Sequence, residues 1–194
     1  MGAPSPALLW FVSRGSGLVL FAVLSAVVTL GIAERTRLRW RVLPGFGVVT
    51  LHRTLALFAL VLLPLHVLSA LLDPYVHLGW WALIVPFSSP YRRAAIALGT
   101  LSLDLLLAVI ATSLLRTRLG ERAWRVVHLS AYLLWPLALA HTLRAGADLS
   151  TPLGAVLEWG SVCAVLTAFV ARLIAAVRGE TRRAPRRRPA RMRP

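Results

Sequence analysis

The sequence predicts an all-α integral membrane protein, a bundle of about five transmembrane helices, on three observations. The chain of 194 residues is 58% hydrophobic and has a mean hydropathy of +0.72. That is more apolar surface than a soluble domain of this size can hide. The apolar residues fall into long runs, each near the roughly 20 residues that a helix needs to cross a hydrocarbon core of about 30 Å. The net charge of +15 is carried by arginine without any lysine, and it sits in short clusters between the runs and in a terminal tail. Charges placed in this way mark the cytoplasmic side of a membrane protein and argue against nucleic acid as the partner of so basic a chain.

The first run spans Leu8 to Ala33, with Arg14 in its early part. It lacks a charged region ahead of it and is longer than a signal peptide's apolar stretch, so it reads as a retained helix. The second spans Phe46 to Leu72, the third Arg93 to Leu115 with Asp104 inside, and the fourth Ala123 to Leu143. The fifth spans Pro152 to Val177, with Glu158 in its first turns. Length, leucine and alanine content and the lack of alternation all favour helix over strand. Residues 1–178 form one membrane domain, and 179–194 form an arginine-rich tail with the composition of a disordered segment.

Arginine also sets the expected orientation. Arg35, Arg37, Arg39 and Arg41 fill the first connection, Arg116, Arg118, Arg122 and Arg125 lie at the third, and Arg182 to Arg193 crowd the C-terminus. Clusters on alternate connections place the N-terminus outside and the C-terminus in the cytoplasm, as an odd number of helices requires. The connection from Asp73 to Tyr91 is then external, and its Trp80 and Trp81 suit the headgroup region. The cell membrane, a bacterial inner or plasma membrane, is the expected location. The single cysteine, Cys163, excludes an intramolecular disulfide and reads as a packing residue.

Four histidines carry the chemistry. His52 and His66 stand 14 apart on the second helix, and His128 and His141 stand 13 apart on the fourth. Imidazole is costly in a membrane, so it normally faces protein, a cavity or a cofactor. At 1.5 Å per residue each pair is separated by about 20 Å along its helix. That is too far for the two histidines of one helix to share a zinc ion. Both helices run in the same direction, so His52 meets His128 at the inner level and His66 meets His141 at the outer one. Two axial imidazole pairs of this kind suit haem iron. Ala56, Ala59, Ala131 and Ala138 lie near the ligand line and leave room beside it. Fourteen residues return to within about 40° of the starting direction and thirteen fall about 140° away, so the fourth helix must be distorted or its two haems must approach from different directions. Pro136 is the expected place.

This spacing resembles that of the ferric reductase and NADPH oxidase-like transmembrane superfamily, which includes the haem-binding membrane subunit of bacterial methionine sulfoxide reductase systems. The resemblance implies two b-type haems, with inner iron ligands His52 and His128 and outer iron ligands His66 and His141. It implies electron flow from a cytoplasmic flavin reductase or the quinol pool to ferric iron or an extracytoplasmic partner enzyme. A quinone is a further ligand on this view, and FAD and NAD(P)H act only through a partner. Arg14 matches an arginine of the family that meets a haem propionate, although a pairing with Glu158 or with headgroups is also open. Arg53, beside His52, could serve the inner propionates or be an ordinary cytoplasmic-end arginine. Position 70 is alanine where the oxidases carry a second histidine, and position 134 is leucine, with Trp135 adjacent, where they carry an aromatic. These departures argue against an oxygen-reducing site. Asp104 and His77 have structural and functional readings alike. The competing class is a non-redox membrane scaffold or transporter subunit that uses the basic tail.

Overall fold

A computed structural model describes residues 6–36, 45–145 and 150–178. The first arginine cluster beyond Thr36 and the C-terminal tail lie outside the described residues. The helices are α1 (Pro6–Thr36), α2 (Gly45–Leu71), α3 (Arg93–Leu114), α4 (Arg116–Leu119), α5 (Glu121–Leu129), α6 (Ala131–Ala145) and α7 (Pro152–Val177). A short 3-10 turn, Trp80–Leu83, lies between α2 and α3. No strand occurs among the described residues. Five helical spans are long and apolar enough to cross a membrane, with α5 and α6 together forming the fourth. Most of their large apolar side chains face outward, as they do when lipid rather than water surrounds the bundle.

Several serine side chains inside the spans are satisfied locally. The hydroxyls of Ser25, Ser69, Ser102 and Ser161 each donate to the carbonyl four residues earlier. Such back-bonding lets serine sit in a membrane helix without an unmet donor. The same small residues allow close helix packing.

Helix α1 is the hub: it packs along α2, α7 and α6, while α3 packs on α6 and α5. Between these groups α2 and α6 face each other across an apolar cavity of about 130 Å³. One buried cluster, Leu20, Leu24, Ala59 and Leu134, sits halfway along the bundle. A second joins Phe21, Trp135 and Val165. Trp135 stacks on Phe21 at 6.0 Å between ring centres, and its Nε1 donates to Ser25 Oγ at 2.8 Å. The tryptophan therefore faces α1 and α7, and leucine 134 is the residue that enters the central cluster.

The distortion expected at Pro136 is found at Ser130 instead. Pro136 and Pro64 lie inside α6 and α2. At Ser130 the backbone tightens: Ser130 N donates to Val127 O and Leu133 N donates to Ser130 O, both at 2.9 Å. The Ser130 hydroxyl adds a bond to Val127 O at 2.6 Å. Three-residue closure advances the chain about 120° per residue rather than about 100°. Over about three residues the tightened turn supplies roughly 60° of the roughly 140° of rotation that a 13-residue spacing lacks. Gly120, at φ 78°, forms the sharp entry to α5, a conformation that disfavours any side chain.

At the other end of the bundle the connection between α2 and α3 folds inward. Ala82 of the 3-10 turn is buried, and its carbonyl accepts from Thr100 Oγ1 at 2.6 Å. Arg92 donates to the carbonyls of Arg144 and Ala145, both at 3.1 Å, and so closes the open C-terminal end of α6. Leu134 is 2% exposed at the centre of this framework. Leu134→Ala is expected to cost about 2–4 kcal/mol through the cavity it leaves, read as a lowered thermal midpoint in detergent.

Candidate functional site

The four histidines meet in two pairs, one at each level of the bundle. The ring centres of His66 and His141 are 6.3 Å apart, with planes at 76°. Those of His52 and His128 are 6.4 Å apart, with planes at 62°. In each pair one ring comes from α2 and the other from the α5–α6 span. The levels are those that the spacing predicts. A separation near 6 Å also occurs in edge-to-face ring contacts, so the nitrogens decide what these pairs can do.

Three of the rings are held in the same way. His66 Nδ1 lies 2.8 Å from Ser13 O, His52 Nδ1 lies 2.9 Å from Val27 O, and His141 Nδ1 lies 2.8 Å from Ala95 O. A carbonyl can only accept, so each Nδ1 carries the proton and donates. The lone pair of each neutral ring is then on Nε2. This is how ligand histidines are oriented in metal sites, where a backbone carbonyl takes the other ring N–H and fixes the tautomer.

Glycine makes the His66 and His141 contacts possible and leaves room beside the His52 one. A Cβ at Gly17 would lie 2.7 Å from His66 Cε1 and Nδ1. One at Gly99 would lie 2.8 Å from the same atoms of His141, and one at Gly31 would lie 3.4 Å from His52 Cε1. In all three cases the accepting carbonyl belongs to the residue four before the glycine. The imidazole thus reaches the helix backbone beside the i to i−4 bond that the glycine N–H makes. Reasoning from the histidines alone misses these residues. The available signal is that Gly17 and Gly31 are 14 apart, the same interval as His52 and His66 on the antiparallel neighbour.

The fourth ring is set differently. His128 stacks on Trp124, with ring centres 4.9 Å apart and planes at 26°. The guanidinium of Arg116 lies 4.3 Å from the centre of the same indole.

Each pair can grip one metal ion from opposite sides. Two metal–imidazole bonds of about 2 Å, plus about 1 Å from each nitrogen to its ring centre, span about 6 Å, which matches both pairs. Among the described residues there is no group of three or more His, Cys, Asp or Glu side chains that could hold a metal. Further ligands would therefore have to come with the metal, as they do in a macrocycle. The cavity between α2 and α6 holds both His66 and His141 and is lined mainly by Leu, Ala, Val and Gly.

The remaining candidates fall outside the pairs. The guanidinium of Arg14 sits 4.7 Å from the ring centre of Trp10, and Arg53 is exposed next to His52. Neither carboxylate oxygen of the fully buried Glu158 accepts a hydrogen bond, so a pairing with Arg14 is not formed. His77 is exposed, in the connection between α2 and α3, and Asp104 is partly buried on α3. Cys163, expected to pack, is exposed. No protein-family model, curated protein or solved structure matches the chain.

The glycine contacts give a signed prediction. Gly17→Ala and Gly99→Ala force a ring away from its carbonyl and should destabilise the bundle by about 1–3 kcal/mol. Gly31→Ala meets only ordinary contact, and the helix propensity of alanine should leave it neutral or up to about 1 kcal/mol more stable. Thermal melts of the three variants in one detergent compare the signs.

Proposed function

We propose that this chain is a dihaem b-type membrane electron-transfer protein of the ferric reductase-like class. It would pass electrons from a cytoplasmic flavin reductase or the quinol pool to ferric iron or an external partner enzyme. The observation that carries the reading is the double imidazole pair, with separations of 6.4 and 6.3 Å and three Nδ1 atoms tied to backbone carbonyls. Haem iron, when bound, supplies a one-electron change between ferric and ferrous states.

The chain's own residues hold and insulate. His52 and His128 present imidazole at one level, and His66 and His141 at the other. The carbonyls of Ser13, Val27 and Ala95 fix ring rotation and keep Nε2 unprotonated for ligation. Leu20, Leu24, Ala59 and Leu134 separate the levels with aliphatic carbon, which excludes water and side reactions between them. The turn at Trp80–Leu83 places Ala82 and Leu83 against the cavity that holds His66 and His141. With arginine clusters on the cytoplasmic face, the His52 level is the inner one and the His66 level the outer. Arg14 would then lie towards the outer face and Arg53 near the inner one, where a propionate partner is in reach of each. Position 70 is alanine on the cavity wall, so no histidine stands there to assist oxygen reduction.

Purified protein from haem-sufficient cells should show a bis-histidine b-type spectrum reducible by dithionite. His66→Ala and His141→Ala should each lose one of the two haems and keep the other. A colourless wild type would rule the reading out and favour the scaffold, and full haem content in both variants would rule out the ligand assignment.

A further inference from the structure

One buried acid plays no part in the arrangement above. On α7 the buried residues Gly154, Glu158, Ser161 and Val165 fall on one face, and α7 packs chiefly on α1. Glu158 is 0% exposed, and neither of its carboxylate oxygens has a hydrogen-bond partner. Its height follows from the groove beside it. Residues between 156 and 164 of α7 and between 22 and 30 of α1 line a surface groove of about 400 Å³, together with Leu51 and Leu55 of α2. On α1 that stretch lies between Gly17, which meets His66, and Gly31, which meets His52. Glu158 therefore sits between the two imidazole levels. The α1 stretch itself contains no ionisable residue. Beyond it α1 carries Arg14 toward one end and exposed Glu34 toward the other, and α2 carries His52, Arg53 and His66. Helix α6, which meets α7 at Trp135, carries Tyr132, His141 and Arg144. On α7 itself Cys163 is exposed and Arg172 donates to Tyr132 Oη at 2.9 Å.

An ionised carboxylate is very costly in hydrocarbon unless positive charge stands near it. No cationic side chain bonds to Glu158. A ferric porphyrin held by two neutral imidazoles is net positive at the iron, and a ferrous one is neutral, so haem at the two pairs would supply the missing charge on either side of the acid. We propose that Glu158 is the proton-binding group of the electron path, ionised while both centres are ferric and protonated when the bundle gains an electron. The inference rests on the haem reading above. The electron comes from the donor and the proton from water. The carboxylate becomes a carboxylic acid, no other bond changes, and the charge held inside the lipid stays constant. Compensation at a distance works here because little water stands between the helices to screen it. Ser25, Thr29 and Ser161 place hydroxyl oxygens on the wall of the adjoining groove, polar steps for a proton that enters from water.

The test uses the full-length protein in lipid nanodiscs, with optical redox titrations at several pH values and reduced-minus-oxidised infrared difference spectra. In the wild type the midpoint of at least one haem should fall as pH rises, because reduction carries a proton with it. A carboxylic acid carbonyl band should appear on reduction. Glu158→Gln, neutral at every pH, should lose that band, flatten the pH dependence and hold the midpoints near the wild type's low-pH values. Its haem content by pyridine haemochrome should match the wild type. Isotope-labelled glutamate should shift the wild-type band, and this result decides the case by itself if Glu158→Gln fails to retain haem. An absent or unshifted band, or a pH dependence that survives in Glu158→Gln, overturns the inference while the haem reading stands. A wild type without haem overturns both.

Discussion

The contact on which this structure depends is an imidazole N–H donated to a helix carbonyl, at a place where the helix has no side chain. It occurs between α1 and α2 at both levels, and between α3 and α6 at one. Each contact does two jobs. It satisfies a polar group that lipid would leave unmet, and it leaves the lone pair of the neutral ring on the other nitrogen. Glycine is needed because an imidazole can reach a carbonyl already engaged in the helix only if nothing projects beside it. A serine-to-alanine difference elsewhere on these helices would alter packing; a methyl group at Gly17 or Gly99 would move the site itself.

Packing follows from the same constraint. Helix α1 carries two of the cradles, which makes it the natural hub, and α7 and α6 close on its other faces. The layer between the levels is aliphatic, and Trp135, at that height, is drawn toward Phe21 and Ser25 by a stack and a hydrogen bond. Its indole N–H needs an acceptor when buried, and Ser25 provides one on the α1 side. The column between the imidazole pairs is left to Leu24, Ala59 and Leu134.

The departure from symmetry at His128 has a local cause. A fully regular fourth span would carry His128 and His141 on different faces, because thirteen residues do not complete whole turns. The tightened turn at Ser130 supplies part of the missing rotation, and it also divides the span so that α5 becomes a separate short segment. Its histidine stacks on a residue of the same segment, Trp124.

Much of the architecture was legible in the residues taken in order. The five spans follow from the length and composition of the apolar runs, and their bounds agree with the helices to within a few residues. The two levels of histidine follow from intervals of 14 and 13 at a fixed rise per residue. What spacing could not decide was direction around the axis. One-dimensional periodicity assumes an ideal helix, so it assigned the distortion to Pro136, where the backbone in fact stays helical, and overlooked Ser130. It gave Cys163 a packing role, although only the neighbours of a helix decide which of its faces is covered. It left Glu158 and Arg14 as possible partners, and the fold seats the guanidinium at Trp10 instead. Sequence alone determined which residues can cross a membrane and at what height each imidazole lies, because both depend on distance along one chain. The tertiary structure decided which nitrogen is engaged and which glycine admits it, because those depend on contacts between helices far apart in the chain.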